Sequence, residues 1–521
     1  MSDDSPENVL FVVLDTVRKD RLGPYGYDGG TTPGLDAFCE EATVFENAVA
    51  PAPWTLPVHA SLFTGMYPHR HGADQENPYL EGATTLAETL SAEGYRTACY
   101  SSNAWITPYT HLTDGFDEQD NFFEVMPGDL LSGPLAKAWK TMNDNEALRT
   151  VADKLVSLGN VAHEYLASGE GADSKTPAVI DRTKSFIDDS EADGDDWFAF
   201  INLMDAHLPY HPPQEYVDEY APGVDSTEVC QNSKEYNAGA RDIDDEEWEA
   251  IRGLYDAEIA HIDDQLTRLF DWLKETDRWD DTAVVVCADH GELHGEHDLY
   301  GHEFCLYDQL INVPLMIRHP ALDDDRREDT VELIDTYHTV LDTLDVAGGE
   351  SAAAGEEAVA LDRTRSLLSA DYREFAGLDE TDRDPGQRAS PEGEFAFVEY
   401  SRPVVELKQL EEKAASAGIE LPEGSRFYSR MRASRATDAK YVRIDRIPDE
   451  AFRLDEDPEE DSDLADGDDD RIAEAEATLG EFEAAAGGAW TDTADAEVTD
   501  DSLDEMDDEA TERLRDLGYV E

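Results

Sequence analysis

Two apolar runs of strand length in this chain each end directly in acidic residues. Residues 8–14 (NVLFVVL) run into Asp15, and residues 282–288 (TAVVVCA) run into Asp289 and His290. Apolar runs without polar alternation are typical of strands that are buried on both faces of a parallel sheet. Parallel strands place their carboxyl ends at one edge of the sheet, so we expect these polar side chains to meet there.

Other apolar runs alternate with stretches of helical spacing along the chain. The runs cover residues 95–100, 197–203 and 313–317, and the helix-like stretches cover residues 35–41, 85–92 and 255–273. This alternation predicts an α/β fold with a mostly parallel sheet flanked by helices. Asp205 and His207 follow the run at 197–203 and are therefore expected at the same edge of the sheet.

The 521 residues exceed one typical domain, and composition changes along the chain suggest its divisions. We predict a catalytic domain over residues 1–345, with a mainly helical insertion at 104–195. A linker or loose loops should follow at 346–393. The last part, 394–521, should be a small C-terminal α+β subdomain with an acidic tail, and its strands are expected near 395–400 and 440–444.

The chain is extremely acidic. Its 121 Asp and Glu residues against 40 Lys and Arg residues give a net charge of -81. Nucleic acid and anionic membrane surfaces are excluded as expected partners, because both require basic patches. Self-repulsion of this size is tolerable when salt screens it, which favours adaptation to a very salty cytosol, as in halophilic microbes. The alternative is an acidic tail on an ordinary protein, but acidic residues are spread throughout, as at 242–249.

Cysteine usage and the N-terminus predict a cytoplasmic protein. The five cysteines are an odd number without paired spacing, which argues against a disulfide framework. The first residues, MSDDSP, include no basic region followed by an apolar stretch, so we expect no signal peptide. No apolar run is long enough to span a bilayer, and we predict no membrane insertion.

A third segment, residues 52–65 (APWTLPVHASLFTG), places a hydroxyl at the expected start of a helix. Thr55 followed by Pro57 suits a helix N-cap with a first-turn proline. Thr55 also suits a nucleophile, since a helix N-terminus offers N–H donors to a phosphate or sulfate group. The two interpretations are compatible.

These segments, in this order and spacing, resemble the sulfatase family of the alkaline phosphatase superfamily. Smaller matches at residues 22–26 (LGPYG), 67–72 (YPHRHG) and 206–210 (AHLPY) extend the resemblance over about residues 8 to 350. It implies an alkaline phosphatase-like fold. It further implies that Thr55 is the nucleophile and that four residues bind a metal: Asp15, Thr55, Asp289 and His290.

The chain departs from the family pattern at the nucleophile. Typical members have Cys or Ser in the frame Cys/Ser-x-Pro-x-Arg, and convert it to formylglycine. Here Thr55 cannot be converted, and His59 cannot copy a bidentate guanidinium. Asn103 and His302 stand near the places where lysines are expected. The site thus resembles superfamily members that use a plain Thr or Ser alkoxide, many of which act on phosphate esters.

We expect one or two divalent metal ions, because two carboxylates, an imidazole and a hydroxyl are suitable ligands for them. The sequence does not decide between Mn²⁺, Mg²⁺, Ca²⁺ and Zn²⁺. His207 and His302 are the candidate proton donors to the leaving group. They could equally hold a second metal with Asp205, or be surface histidines without a role. We expect His59, Asn103 and Asp205 to contact the substrate.

The sequence therefore predicts a metal-dependent hydrolase that cleaves a sulfate or phosphate ester of a small molecule or glycan through Thr55. One alternative is a phosphodiesterase or phosphoglycerol-type transferase that uses the same site. Another is a catalytically reduced protein that binds anionic glycans. Nothing in the sequence indicates an oligomeric state.

Overall fold

The strands and helices are taken from a computed structural model of the chain, which describes residues 6–74, 77–121, 174–323, 325–368, 394–401 and 403–488. The strands are β1 Asn8–Leu14, β2 Thr43–Val49, β3 Arg96–Ser101, β4 Glu118–Asn121, β5 Trp197–Leu203, β6 Thr282–Ala288, β7 Leu293–His294, β8 Tyr300–Gly301, β9 Asn312–Arg318, β10 Arg326–Glu332, β11 Ala396–Tyr400, β12 Met431–Arg435, β13 Lys440–Ile444 and β14 Glu450–Phe452.

The α-helices of the described residues surround these strands. They are α1 Pro33–Cys39, α2 Thr55–Thr64, α3 Pro68–His71, α4 Leu86–Glu93, α5 Thr176–Asp193, α6 Gln214–Tyr220, α7 Ser233–Asn237, α8 Asp245–Glu275, α9 Asp308–Ile311, α10 Asp335–Thr343, α11 Val404–Ala417 and α12 Asp470–Ala485. None of them is long and apolar enough to cross a membrane.

Eight strands form the central sheet, in the order β10-β2-β9-β6-β1-β5-β3-β4. Strand β9 runs antiparallel to both of its neighbours, and the other pairs are parallel. The predicted α/β fold with a mostly parallel sheet flanked by helices is confirmed.

Strand β1 lies at the centre of the sheet between β5 and β6, which explains its uninterrupted apolar sequence. Leu14, its last residue, pairs with Leu203 of β5 and with Ala288 of β6. All three are at most 1% exposed. The three strands therefore end level with one another, and the residue after each strand starts at the same edge of the sheet.

Strands β11 to β14 form a separate antiparallel sheet, and α12 packs on it. The predicted small C-terminal α+β subdomain is thus present, with two of its strands at the expected places. The domain limits remain predictions. Much of the expected insertion, linker and tail (residues 122–173, 369–393 and 489–521) lies outside the described residues.

The C-terminal sheet supports the segment that leads into α2. The backbone N–H of Glu399 in β11 donates to the carbonyl of Pro51 at 2.9 Å. On the other side, Arg435 pairs with Asp308 at 2.9 Å and Lys440 donates to the carbonyl of Leu306 at 2.8 Å. Backbone and charged contacts together fix this sheet against the carboxyl edge of the main sheet.

The acidic composition predicts that folding depends on salt. With a net charge of -81, exposed carboxylates repel one another over distances that salt can screen. The screening length is about 10 Å at 0.1 M salt and about 3 Å at 1 M salt. We expect the thermal midpoint to rise steeply with KCl over this range, and more than an uncharged osmolyte achieves. A midpoint that stays flat would contradict both the halophilic interpretation and the cytoplasmic placement that depends on it.

Candidate active site

Three buried side chains converge where β1 and β6 end. Asp15 follows β1, and Asp289 and His290 follow β6. One ligand atom from each lies within 4.8 Å of the others, and all three residues are 0% exposed. We call them the Asp-Asp-His group. The predicted meeting of these side chains at one edge of the sheet is what the structure shows.

One oxygen of each carboxylate is fixed by hydrogen bonds. Asp15 Oδ2 accepts from the side-chain amides of Asn103 at 2.7 Å and Asn202 at 3.1 Å. Asp289 Oδ1 accepts from the backbone N–H groups of Thr16 at 3.2 Å and His290 at 2.9 Å. The other oxygens, Oδ1 of Asp15 and Oδ2 of Asp289, are buried without a hydrogen-bond partner among the described residues.

The loop after β1 is bent to make this arrangement. Thr16 has a φ of 59°, which is unusual for a β-branched residue. Its hydroxyl donates to the carbonyl of Asp15 at 2.7 Å, and its carbonyl accepts from the Tyr255 hydroxyl at 2.7 Å. The bend leaves the Thr16 N–H facing Asp289, so a strained residue orients one of the candidate ligands.

The Asp-Asp-His group suits a divalent cation. Burial and the charge of Asp15 raise the pKa of Asp289 well above its usual range, which shows how unfavourable two buried carboxylates are without a positive charge between them. Burial, followed by the neighbouring His302, lowers the pKa of His290 far below its usual value, and only the neutral ring can bind a metal. The two unpaired carboxylate oxygens are available as ligands of the kind that Mg²⁺, Mn²⁺, Ca²⁺ and Zn²⁺ accept.

Thr55 is the first residue of α2, and Trp54 occupies the N-cap position without a side-chain capping bond. The interpretation of Thr55 as an N-cap is therefore wrong, because Thr55 lies inside the helix and its hydroxyl contacts residues outside it. Thr55 Oγ1 lies 3.3 Å from His290 Nε2 and 3.4 Å from Asn103 Nδ2. The residue is 3% exposed. The structure thus places this hydroxyl against the Asp-Asp-His group.

The hydrogen bonds also indicate which nitrogen of His290 carries the proton. His290 Nδ1 lies 3.0 Å from the carbonyl of Gly291, which can only accept. Nδ1 is therefore assigned as the donor, and Nε2 presents its lone pair on the side of Thr55.

His59 lies one helical turn beyond Thr55 and is fully buried. Its Nδ1 donates to the carbonyl of Thr55 at 2.9 Å and lies 3.8 Å from Asp289 Oδ2. Its ring packs edge-on against Phe200. Burial lowers the pKa of His59 to about 4, so the ring is neutral at neutral pH. His59 therefore supplies none of the positive charge that an arginine would bring.

His207 and His302 form a row of imidazoles with His290. The ring of His302 lies 4.5 Å from that of His290 and 5.2 Å from that of His207. Burial opposes a charge on His302, but Glu292 and Glu303 outweigh it and raise its pKa to about 9. His207 is oriented by a contact of 2.6 Å between its Nδ1 and the carbonyl of Leu208.

Asp205 is not brought into this row. Its carboxylate accepts from the hydroxyl of Thr176 and lies 3.9 Å from His261 Nε2. Among the described residues, the Asp-Asp-His group is the one set of three that could hold an ion, and Asp205 is outside it. The predicted contacts of Asp205, His59 and Asn103 with substrate stay predictions.

Sequence reasoning missed two residues of the site, Asn202 and Glu292. Asn202 is the one strongly polar residue in the otherwise apolar β5 and binds Asp15, so a polar interruption of a buried strand was the available signal. Glu292 is 0% exposed and lies 3.3 Å from His302. The sequence shows that Glu292 lies two residues after His290, but it does not show that Glu292 contacts His302, ten residues further along the chain.

Comparisons with known proteins identify the family of this chain. The model of the family described as Sulfatase matches residues 7–346. The ulvan-active sulfatase of Formosa agariphila is 28% identical over 320 residues, which cover 61% of this chain and 57% of that protein, less than two thirds of its length. The multifunctional alkaline phosphatase superfamily protein PehA of Trinickia caryophylli is 28% identical over 398 residues, which cover 67% of this chain and 75% of that protein.

Solved structures share the fold. The phosphonate monoester hydrolase of Agrobacterium radiobacter has a TM-score of 0.60 at 20% identity, with coverage of 92% of this chain and 95% of that one. BT4656, solved in complex with its substrate D-glucosamine-2-N,6-O-disulfate, has a TM-score of 0.60 at 16% identity, with coverage of 93% and 98%. The Sulfatase family model matches more than half of this chain, and the chain therefore belongs to the sulfatase family.

Proposed function

We propose that the protein is a metal-dependent hydrolase that cleaves sulfate esters with Thr55 as its nucleophile. One observation carries the proposal: Thr55 Oγ1 lies 3.3 Å from His290 Nε2, at the edge of a group that suits a cation. A bound divalent cation would lower the pKa of the Thr55 hydroxyl and withdraw charge from the ester. The names of similar proteins, such as the ulvan-active sulfatase, support a sulfated glycan or a small sulfate ester as substrate.

The reaction has two steps. Thr55 loses its proton to solvent, and its Oγ1 attacks the sulfur as the bond from sulfur to the leaving oxygen breaks. That oxygen takes a proton from His302 or His207. Water then attacks the resulting sulfo-threonine, and the histidine that gave its proton accepts one back from this water, as microscopic reversibility requires. The bond from sulfur to Oγ1 breaks, sulfate leaves, and Oγ1 regains a proton from solvent, which restores Thr55.

The threonine sets this route apart from formylglycine chemistry. Oxidation of Cys or Ser at the nucleophile position gives an aldehyde, whereas Thr55 carries a methyl group on Cβ and would give a ketone. A hydrated aldehyde can expel sulfate without attack by water on sulfur, but a sulfo-threonine cannot. The second step in this chain therefore needs a base, and His302 and His207 are the candidates.

A second candidate is hydrolysis or transfer at a phosphodiester, by a phosphodiesterase or phosphoglycerol-type transferase. The charge of the site favours such a singly charged ester over a phosphate monoester. Among the described residues, no Lys or Arg pairs with Thr55 or the Asp-Asp-His group. His59 is neutral where the family pattern has a guanidinium. Sulfate esters and phosphodiesters each bear one negative charge, whereas phosphate monoesters bear two and need more positive charge from the protein.

A panel of esters tests this assignment. With Mn²⁺, Mg²⁺, Ca²⁺ or Zn²⁺ added in turn, we expect turnover of 4-nitrophenyl sulfate or bis(4-nitrophenyl) phosphate. The kcat/KM for 4-nitrophenyl phosphate should be lower by at least about 10-fold, roughly 1.4 kcal/mol of transition-state binding. A preference for that dianion would contradict the charge argument. A metal-loaded protein that turns over none of these esters but binds sulfated glycans would instead be the catalytically reduced binding protein.

A further inference from the structure

One carboxylate determines how the imidazole of His302 is held. His302 Nδ1 lies 3.3 Å from Glu292 Oε1, and the exposed fractions of the two side chains are 13% and 0%. A carboxylate can only accept, so Nδ1 is assigned as the donor in this contact. Nε2 is then the ring nitrogen that remains for another partner. Glu292 Oε2 has no hydrogen-bond partner among the described residues, so that oxygen does not hold the carboxylate on another residue.

The loop that carries His302 is fixed just before the histidine. The amide of Asn237 binds the backbone of Tyr300 twice, donating to its carbonyl at 2.7 Å and accepting from its N–H at 2.9 Å. Gly301 has a φ of 96°, and a Cβ there would lie 2.8 Å from Glu303 Oε2. The backbone thus leaves little freedom, and the remaining freedom, rotation of the ring, is limited by Glu292.

The ring held in this way stands beside the reacting atoms. Its centroid is 4.5 Å from that of His290, whose Nε2 is 3.3 Å from Thr55 Oγ1. A histidine that lies beside a reaction centre and has one nitrogen bound by a buried carboxylate is pre-oriented for proton transfer through its other nitrogen.

We infer that Glu292 is the positioning residue of His302, holding Nδ1 so that Nε2 meets the leaving oxygen. This inference rests on the proposed function. As the bond from Thr55 Oγ1 to sulfur forms and the bond to the leaving oxygen breaks, the proton on His302 Nε2 moves to that oxygen. Glu292 keeps its hydrogen bond to Nδ1 throughout. The Glu292–His302 pair thereby takes the place where the family pattern has a lysine.

The neighbouring Glu303 provides a matched control. It is also buried and pairs with Lys234, and no hydrogen bond joins it to His302 in the described residues. Glu303→Gln removes a buried charge beside His302 without removing the contact that orients the ring.

The test compares a good and a poor leaving group. 4-Nitrophenyl sulfate and phenyl sulfate, or the corresponding methyl phosphodiesters if those are cleaved, are assayed with metal-loaded full-length protein. For Glu292→Gln we expect kcat/KM on the phenyl ester, which reports only the first step and not the second step common to both esters, to fall by about 100-fold, the usual scale of general acid catalysis. The 4-nitrophenyl ester, which needs no proton donor, should lose less than about 5-fold.

Two comparisons make the result specific. His302→Ala should show the same selective loss, and the double variant should be no worse than His302→Ala within about 3-fold, because the two residues act as a unit. Glu303→Gln, which leaves the contact between Glu292 and His302 in place, should lower the activity on the phenyl ester far less than Glu292→Gln does. Should Glu292→Gln not fold, Glu292→Asp, which keeps the charge with a shorter reach, should still show a loss greater for the phenyl ester.

Three results would overturn the inference: equal losses on both esters, additive losses in the double variant, or metal missing from folded Glu292→Gln, which would make Glu292 a ligand. If the wild-type protein is inactive on every ester, the proposed function is overturned instead. Failure of the inference and failure of the proposed function can therefore be told apart.

Discussion

Thr55→Ala is expected to abolish turnover while the fold stays intact. Removal of a nucleophile costs at least about 10³-fold in kcat, or about 4 kcal/mol, because the proposed covalent ester forms on the Thr55 oxygen. The thermal midpoint should change little, since Thr55 makes no capping bond to α2 and its hydroxyl contacts only His290 and Asn103 among the described residues. Steady-state kinetics and thermal melting of the same preparation measure both effects.

Two variants of the same helix serve as controls. Thr55→Ser keeps the hydroxyl and should retain activity. Thr64→Ala removes a hydroxyl that donates to the carbonyl of Ala60 and accepts from the N–H of Met66, and it should leave kcat near that of the wild type. If Thr55→Ala retained activity within about tenfold, a barrier change of only about 1.4 kcal/mol, the nucleophile would have to be another group or water itself.

Loss of the metal should have an effect of similar size. Asp289→Asn replaces an anionic ligand by a neutral amide, and we expect bound metal to fall to near zero and kcat to fall by at least about 100-fold. Chelation of the wild type should inactivate it reversibly, with activity returning when the ion is added back. Elemental analysis alongside the assay identifies the ion and its stoichiometry.

Asp205→Asn is the matched control for metal content. Asp205 also follows a strand that neighbours β1, but its carboxylate contacts Thr176 and lies near His261. We expect this variant to keep its metal. Full activity in exhaustively demetallated wild type would remove the metal mechanism, and metal loss in Asp205→Asn but not in Asp289→Asn would place the ion elsewhere.

The parts of the site that could be predicted from sequence are those that the backbone alone determines. Asp15 and Asp289 each follow a continuous apolar strand, and parallel pairing of those strands with a level register brings the two carboxylates together whatever else the chain does. The hydroxyl at the start of α2 was predictable in the same way, from the proline two residues later.

The parts that could not be predicted depend on which loop or helix faces a given side chain. Asp205 has the same strand-end position as Asp15, yet it turns toward Thr176 at the start of α5, a contact that no local pattern encodes. Strands β2 and β10 were missed for a related reason: charged residues within TVFENAV and RREDTVE interrupt the apolar runs. The partly exposed residues are Glu46 and Asn47 in the middle of β2, and the first half of β10 at the edge of the sheet.

Diffraction from crystals grown with Mn²⁺ and soaked in vanadate tests the central claim most directly. Vanadate adopts the five-coordinate geometry of the transferring group, so it reports the nucleophile without depending on the lifetime of an intermediate. The account predicts an anomalous peak bound by Asp15, Asp289 and His290, and vanadium bonded to Thr55 Oγ1. An ion bound by other residues, or vanadate bonded to a different side chain with the Thr55 hydroxyl turned away, would contradict it.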